Sequence, residues 1–322
     1  MEPLDELGRV EPHEREAAAE LARRVAANVA RAVQVRPETL EHVLVALLAE
    51  GHVLVEDHPG VGKTALARAL ARSFDCQFAR VQCTADLLPA DVVGVNVFNP
   101  REGHFEFRPG PVFANVVLVD EINRASPKTQ SGLLECMQER RVTVDVHTHE
   151  LARPFLVLAT QNPVEFEGTY PLPEAQVDRF MVRVALGYPS AEAEADMLAD
   201  HAGGDRVLAL EPVASASALV RAQDAVARVR AAEPLRAYVV AVLRRTREDP
   251  RTEIGASPRA GLLLLRAAKA RAALHGRDHA LPDDVQALAP AVLTHRLMLA
   301  PEAAGSGARG IVDDALAAVP AR

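Results

Sequence analysis

Cysteine is scarce: Cys76, Cys83 and Cys136 are the only three in 322 residues, and no C-x-x-C or other ligand spacing joins them. Neither a disulfide framework nor a cysteine-ligated metal is implied, and reduced structural thiols are expected, as in a cytoplasmic protein. No apolar run reaches the ~18 residues needed to cross a bilayer. The acidic start, MEPLDELGRVEPHERE, lacks the basic segment and apolar core of a secretory leader. No membrane insertion or export is expected. Positive charge is also in deficit, with 36 Lys and Arg against 44 Asp and Glu and a formal net charge of −8. That disfavours broad capture of nucleic acid or anionic membrane, while leaving room for a local basic channel in an oligomer. Proteins are the expected partners.

What is present is ordinary for a globular, helix-rich chain: 49% hydrophobic and 25% charged residues. The length suffices for one large or two modest cores, and two are expected. The most informative stretch is His52 to Ser73, HVLVEDHPGVGKTALARALARS. A short apolar strand, His52 to Glu56, leads into a glycine loop, and Leu66, Leu70 and Phe74 follow at helical spacing. In a strand–loop–helix of this kind the backbone of Pro59, Gly60, Val61, Gly62, Lys63, Thr64 and Ala65 can cradle phosphates. Lys63 would neutralise charge and the Thr64 hydroxyl would meet Mg²⁺. The generic G-x-x-x-x-G-K-[ST] pattern has Asp57 in place of its first glycine. Its carboxylate would repel phosphate, so it is expected to point away.

Residues 1–11 carry no periodicity and are expected to be flexible. Leu21, Val25, Val29 and Val33 then make a narrow apolar stripe, and a second helix opens at Pro37 with Leu40, Val43, Leu44, Leu47 and Leu48 on one side. Four further continuous apolar runs, Phe78 to Gln82, Asn115 to Val119, Phe155 to Thr160 and Met181 to Leu186, complete five strands covered on both faces. The fold class is α/β: a five-stranded parallel sheet whose ligands sit at the carboxyl ends of the strands. Two hairpins interrupt it. The first spans Val95 to Phe107 with a turn at 99–103, and the second starts at Arg141, after a helix capped by Ser126 and begun by Pro127. Beyond Tyr188 only helices are expected: one capped by Ser190, then Ala216 to Ala232, Pro234 to Arg247, Pro258 to His275 and Asp283 to Leu299. The expected division is 12–188 for the nucleotide-binding core with its N-terminal helices, 189–300 for an all-α second domain, and 301–322 for a tail without an assigned role.

Five residues carry the candidate chemistry beyond the loop. Asp120 and Glu121 end the third strand. Asp120 can hold Mg²⁺ through water and Glu121 can polarise a water for attack on a γ-phosphate. Asn162, at the end of the fourth strand, suits a phosphate sensor, although Asn before Pro is also an ordinary turn. Arg179, just before the fifth strand, suits either an arginine finger reaching a neighbouring subunit or a surface ion pair with Asp178 or Glu174. Arg259 sits in the first turn of a helix capped by Ser257, the wrong end for a cation by roughly 0.3–1 kcal/mol, which invites a functional explanation. His147 and His149 lie two apart but make no metal site alone, and the wet face of a hairpin is their expected place. Glu165, Glu167 and Glu174 read as a solvated loop.

Four strings together resemble the MoxR family of AAA+ ATPases over roughly residues 12–300: VEDHPGVGKT at 55–64, DEINRASPKTQ at 120–130, ATQNP at 159–163 and PEAQVDRF at 173–180. The resemblance implies an AAA+ P-loop core with inserted hairpins and an all-α lid. It makes Lys63 and Thr64 the Walker A pair, Asp120 and Glu121 Walker B, Asn162 sensor 1, Arg179 the finger and Arg259 sensor 2. It also implies ATP and Mg²⁺ as cofactors, Asp57 as a tolerated variant, and hairpins that line a ring's pore or face. Homo-oligomeric rings, usually hexamers, would remodel, assemble or metallate client enzymes, with a von Willebrand factor A domain protein as adaptor. Two other readings share the residues: a magnesium-chelatase-type or nucleic-acid motor of the same insert-bearing clade, and a nucleotide-gated scaffold that barely hydrolyses.

Overall fold

The computed structural model describes residues 10–162, 168–188, 191–192, 194–195, 205–303 and 307–321. The expected cap at Ser190, the acidic pair Glu165 and Glu167, and residues 1–9 of the expected flexible start lie outside the described residues. Strands β1 (Val53–Glu56), β2 (Phe78–Gln82), β5 (Val116–Asp120), β8 (Leu156–Gln161) and β9 (Val182–Val184) form one parallel sheet, in the order β2-β5-β8-β1-β9. Alternation explains why these runs are continuously apolar. Val116 and Leu118 of β5 enter one core and Val117 and Val119 the other; in β8 Leu156 and Leu158 oppose Val157 and Ala159 in the same way. Full burial of each such side chain is worth roughly 1.5–3 kcal/mol, so neither face tolerates a register slip.

One core is closed by α5 (Pro127–Glu139), whose N-cap Ser126 accepts from the Thr129 N–H at 3.3 Å and whose Leu133, Leu134 and Met137 are buried. The other takes α2 (Pro37–Leu48) and α3 (Lys63–Ser73). It continues without a break into the lid helices α7 (Ala216–Arg228), α8 (Glu233–Glu248), α9 (Pro258–Leu274) and α10 (Pro282–Leu293). The join is α1 (Pro12–Ala30), which packs on α3, α7 and α9 and whose Val25 and Val29 are wholly buried. Asn28 breaks its apolar stripe because its Nδ2 has two buried jobs, donating to Ser73 Oγ at 3.0 Å and to the Glu211 carbonyl at 3.1 Å.

The structure differs from expectation at four places. The last long helix ends at Leu293 rather than Leu299: residues 294–296 tighten into a 3-10 turn and β11 (Met298–Leu299) pairs antiparallel with β10 (Thr252–Ile254), so the lid is not purely helical. The helix from Ala216 stops at Arg228, where the chain turns to pair Arg230 with the segment around His279. In the C-terminal segment, α11 (Ala308–Ala318) buries Ile311, Val312 and Ala315 against α8 and α10. Finally, His149 is not on a wet face. The hairpins β3 (Gly94–Asn99) with β4 (His104–Pro109), and β6 (Arg141–Val144) with β7 (His147–Glu150), lie together, and His149 stacks on Phe107 with ring centroids 3.9 Å apart. Asn96 also donates across to Asp145 at 2.7 Å.

A buried carboxylate ties the lid helices together. Asp284, wholly buried near the start of α10, accepts from Arg277 at 2.6 and 2.7 Å, from Arg271 at 2.9 Å and from the Leu281 N–H at 2.8 Å. Arg271 extends the chain to Glu41 of α2 at 2.7 Å. Burial alone would push the Asp284 carboxyl up, but the arginine and amide bonds outweigh it and hold it below the ordinary carboxylate value. A depressed carboxyl contributes stability above its unfolded pKa and loses it as pH falls through the folded one. Asp284→Ala is therefore expected to lower unfolding stability by about 3 kcal/mol at pH 7, with the deficit against the native chain narrowing below about pH 4; urea titrations at both pH values check it.

Candidate nucleotide-binding and hydrolytic site

Gly60 and Gly62 of the loop between β1 and α3 have φ of +83° and +92°, the left-handed region that side chains avoid. A Cβ on Gly60 would meet nothing within 4 Å, so the loop is an open cradle rather than a packed turn. Helix α3 starts with no side-chain cap and no acid in its first turn. Its leading N–H groups at Lys63, Thr64 and Ala65 thus suit an anion. Burial pulls the Lys63 ammonium below its ordinary value against the pull of Asp120, Asp57 and Glu121, and its Nζ donates to the Asp57 carbonyl at 2.8 Å. The Asp57 carboxylate turns away from the cradle, accepting from the His58 N–H at 2.9 Å and the Gly187 N–H at 2.7 Å. The residue that departs from the generic motif is thus a brace, tying the loop to the chain beyond β9.

Beside the loop, β8 lies between β1 and β5, with Thr160 opposite Val55 and Ala159 opposite Val119. The carboxyl ends of these strands bring the loop, Asp120, Glu121 and Asn162 to one edge. Thr160, fully buried, donates from Oγ1 to Asp120 Oδ1 at 2.7 Å and accepts there from the Glu121 N–H at 2.9 Å. One hydroxyl therefore sets both carboxylate residues, including the left-handed backbone of Glu121 at φ +56°, a conformation costing roughly 1–2 kcal/mol. From β2, Arg80 grips Asp120 Oδ2 with Nε at 3.1 Å and Nη2 at 2.7 Å, and also donates to Gln82 Oε1 at 2.9 Å. Gln82 and Arg124 both donate to Glu121 Oε2 at 3.1 Å. Sequence reasoning missed Arg80, Gln82, Arg124 and Thr160. Only Thr160 left a signal, as a polar residue closing an apolar strand.

Arg179 and Arg259 gather elsewhere. Arg179 follows α6 (Glu174–Val177) and precedes β9, at the amino end of the strands, where Met181 donates its N–H to the His52 carbonyl at 2.8 Å. Among the described residues its guanidinium makes no ion pair with Asp178 or Glu174. Asp178 is engaged instead by Arg296 of the lid, Nε to Oδ1 at 2.7 Å, and by Arg259, whose Nε lies 3.9 Å from Oδ2. Burial pulls the Arg296 guanidinium down to about 10, against the pull of Asp178, so it remains a cation at neutral pH. The four residues of β1 rise ~3.3 Å each, so an arginine held at Asp178 stands about 13 Å from its own phosphate loop, beyond a side chain's reach.

The thiols behave as structural groups: burial pushes Cys76 up to about 11 and both Cys83 and Cys136 up to about 12. Glu102, His104 and Glu106 of the first hairpin bring ligand atoms within 4.8 Å of one another. Exposed imidazole–carboxylate pairing at 3.4 and 3.8 Å accounts for that grouping.

Thr160→Val keeps the strand's shape while deleting both bonds to the carboxylate residues. Turnover of ATP is expected to fall on the order of 10²-fold, the cost of misplacing reacting groups by about 1 Å, with nucleotide affinity nearly unchanged. Single-turnover kinetics alongside equilibrium binding of a fluorescent ATP analogue separate the two.

Comparison with known proteins agrees with this geometry. Residues 52–182 match the ATPase family associated with various cellular activities, and residues 244–315 match the AAA lid domain, which therefore reaches into α11. YeaC of Bacillus subtilis is 52% identical over 86% of this chain and 87% of its own length. Chaperone MoxR1 of Mycobacterium tuberculosis is 42% identical over 84% and 74%, and the MoxR protein of Methylorubrum extorquens 34% identical over 89% of each. A crystal structure from Cytophaga hutchinsonii, 37% identical, superposes with a TM-score of 0.88 over 96% of this chain and 97% of that one. The chain belongs to the MoxR family of AAA+ ATPases.

Proposed function

We propose that this chain hydrolyses Mg²⁺·ATP within a ring oligomer and uses the cycle to remodel, assemble or mature client proteins. The observation that carries the reading is the Thr160 hydroxyl, which locks Asp120 and Glu121 side by side one strand away from an open phosphate cradle. In this reading the N–H groups of Gly60 to Ala65 and Lys63 hold the phosphates. Thr64 and Asp120 hold Mg²⁺, which neutralises charge that builds on the phosphoryl oxygens. Glu121 polarises the attacking water, and Asn162 orients it or the γ-phosphate. Arg80 and Thr160 fix Asp120, while Gln82 and Arg124 restrain Glu121 until water and phosphate compete for it.

The separation of the arginines from their own loop supports assembly. Arg179 follows Asp178, the carboxylate that Arg259 approaches, at the amino end of β9, so the reading makes them one two-arginine face presented to the site of a neighbour. Phe98 and Phe105, exposed at 51% and 66% and touching edge to face at 5.4 Å, tip the first hairpin. With Val146, 85% exposed on the second, they suit contact with a client polypeptide. A von Willebrand factor A domain adaptor belongs to the same proposal, as does a cytoplasmic site of action.

Arg179→Ala is expected to lower turnover by about 10³- to 10⁵-fold while ATP binding persists; equal losses of both would remove the finger assignment. Affinity capture with Glu121→Gln, which should bind ATP without cleaving it, identifies what the ring handles. A protein retained with ATP and released with ADP supports remodelling. Retained nucleic acid would favour the motor reading, and a bare assembly in both nucleotides the scaffold.

A further inference from the structure

The 3-10 turn after α10 puts a buried arginine into the segment that carries the finger. The Arg296 side chain is 2% exposed. Its Nε reaches Asp178 Oδ1 at 2.7 Å, its Nη2 donates to the carbonyls of Asp178, at 3.1 Å, and Phe180, and its Nη1 to those of Met181, at 3.3 Å, and Val292. Its donors thus grip the backbone on both sides of Arg179 without touching Arg179 itself. The neighbouring His295, half-buried and with its imidazole pulled well below the ordinary value by desolvation, lies 2.6 Å from Arg296 Nη1. No catalytic or binding task explains a cation placed here, since the whole cluster stands at the end of the sheet away from the subunit's own phosphate loop.

We propose that Arg296 is a positioning residue for hydrolysis in the adjacent subunit. It fixes residues 178–181 so that Arg179 projects correctly and, through the shared carboxylate of Asp178, sets Arg259 beside it. The inference rests on the reading of Arg179 as a finger acting between subunits. Because α9 and α10 belong to the lid, the posture of one subunit's lid is transmitted to the arginines it offers its neighbour. The same subunit's own cradle is untouched by the contact. That asymmetry distinguishes positioning from a merely structural role: a defect at Arg296 should appear in the neighbour's site and be cured by a neighbour with sound arginines.

The test uses full-length chains and mixed assemblies. Arg296→Lys keeps the charge but loses the planar fork that holds several acceptors at once. Alone, it is expected to lose on the order of 10²-fold in turnover while binding a fluorescent ATP analogue as the native chain does. Glu121→Gln alone should be inactive, with its arginines intact. Mixed, the two should turn over ATP faster than the sum of the separate samples, because an Arg296→Lys subunit then receives its finger from a Glu121→Gln neighbour. Native turnover by Arg296→Lys alone would overturn the proposal. So would a low rate that mixing does not raise. Arg179→Ala mixed with Glu121→Gln runs in parallel; if that pair is not rescued, the finger reading itself fails and the inference with it. Should Arg296→Lys not fold, Asp178→Asn removes the same contact from the core side and is read by the same outcomes.

Discussion

A parallel sheet has two chemically different ends, and in this protein the length of β1 keeps them apart. The carboxyl ends of β1, β8 and β5 carry the phosphate loop, Asn162 and the pair Asp120 and Glu121, while the amino end of β9 carries Arg179 and, by way of Asp178, Arg259. Side chains do not bridge about 13 Å of strand, so in this arrangement both arginines stand away from their own subunit's loop. Everything proposed about assembly follows from that distance. The phosphate-binding half can form in any one chain; in the proposed ring the cationic half is supplied by the amino edge of a neighbour.

Buried polar groups are what make each end accurate. A hydroxyl or guanidinium removed from water is costly unless its partners are supplied, and both are supplied here with little to spare. Thr160 spends its one proton on Asp120 and a lone pair on the Glu121 N–H; Arg296 spends its fork on a carboxylate and four carbonyls. In each case the partners belong to neighbouring segments far apart in sequence, so the bond penalises any relative slip of those segments. The apolar cores decide that the sheet and lid form. These bonds decide where the reactive side chains stand once they have.

Much of this was legible from the chain alone, because its signals are local. Continuous apolar runs announce strands buried on both faces, Gly60 and Gly62 announce a loop that needs positive φ, and Ser126 with Pro127 announces a helix start. Asp120 and Glu121 stand out as acids closing such a run. What escaped is whatever depends on register between distant segments. Arg80 and Gln82 look like ordinary polar positions on a strand until β2 is laid beside β5 with Gln82 opposite Asp120. His149 looks like a wet hairpin residue until a second hairpin offers Phe107. The overlong helix expected through Leu299 failed for the same reason: its local pattern is helical, but Arg296 has five acceptors near the core, and the backbone leaves the helix to reach them. The C-terminal segment gave only a weak period, and burial of Ile311 and Val312 became visible once α8 and α10 were in place.

The lid delivers its two arginines as one unit. Arg259 stands in the first turn of α9 and Arg296 just past the end of α10, and nothing in their spacing requires them to move together. Asp284 does, since its carboxylate is bound at once by Arg271 of α9 and by Arg277 in the connection to α10, and Arg271 continues to Glu41 of α2. Separating helices joined by a wholly buried carboxylate would strand its charge without partners, at a cost of about 3–5 kcal/mol. The same lid unit therefore holds Arg259 and Arg296 to one carboxylate, Asp178. The wrong-end placement of Arg259, a small cost to its own helix, is offset where it matters: the cation stands within ion-pair distance of the carboxylate that precedes the finger.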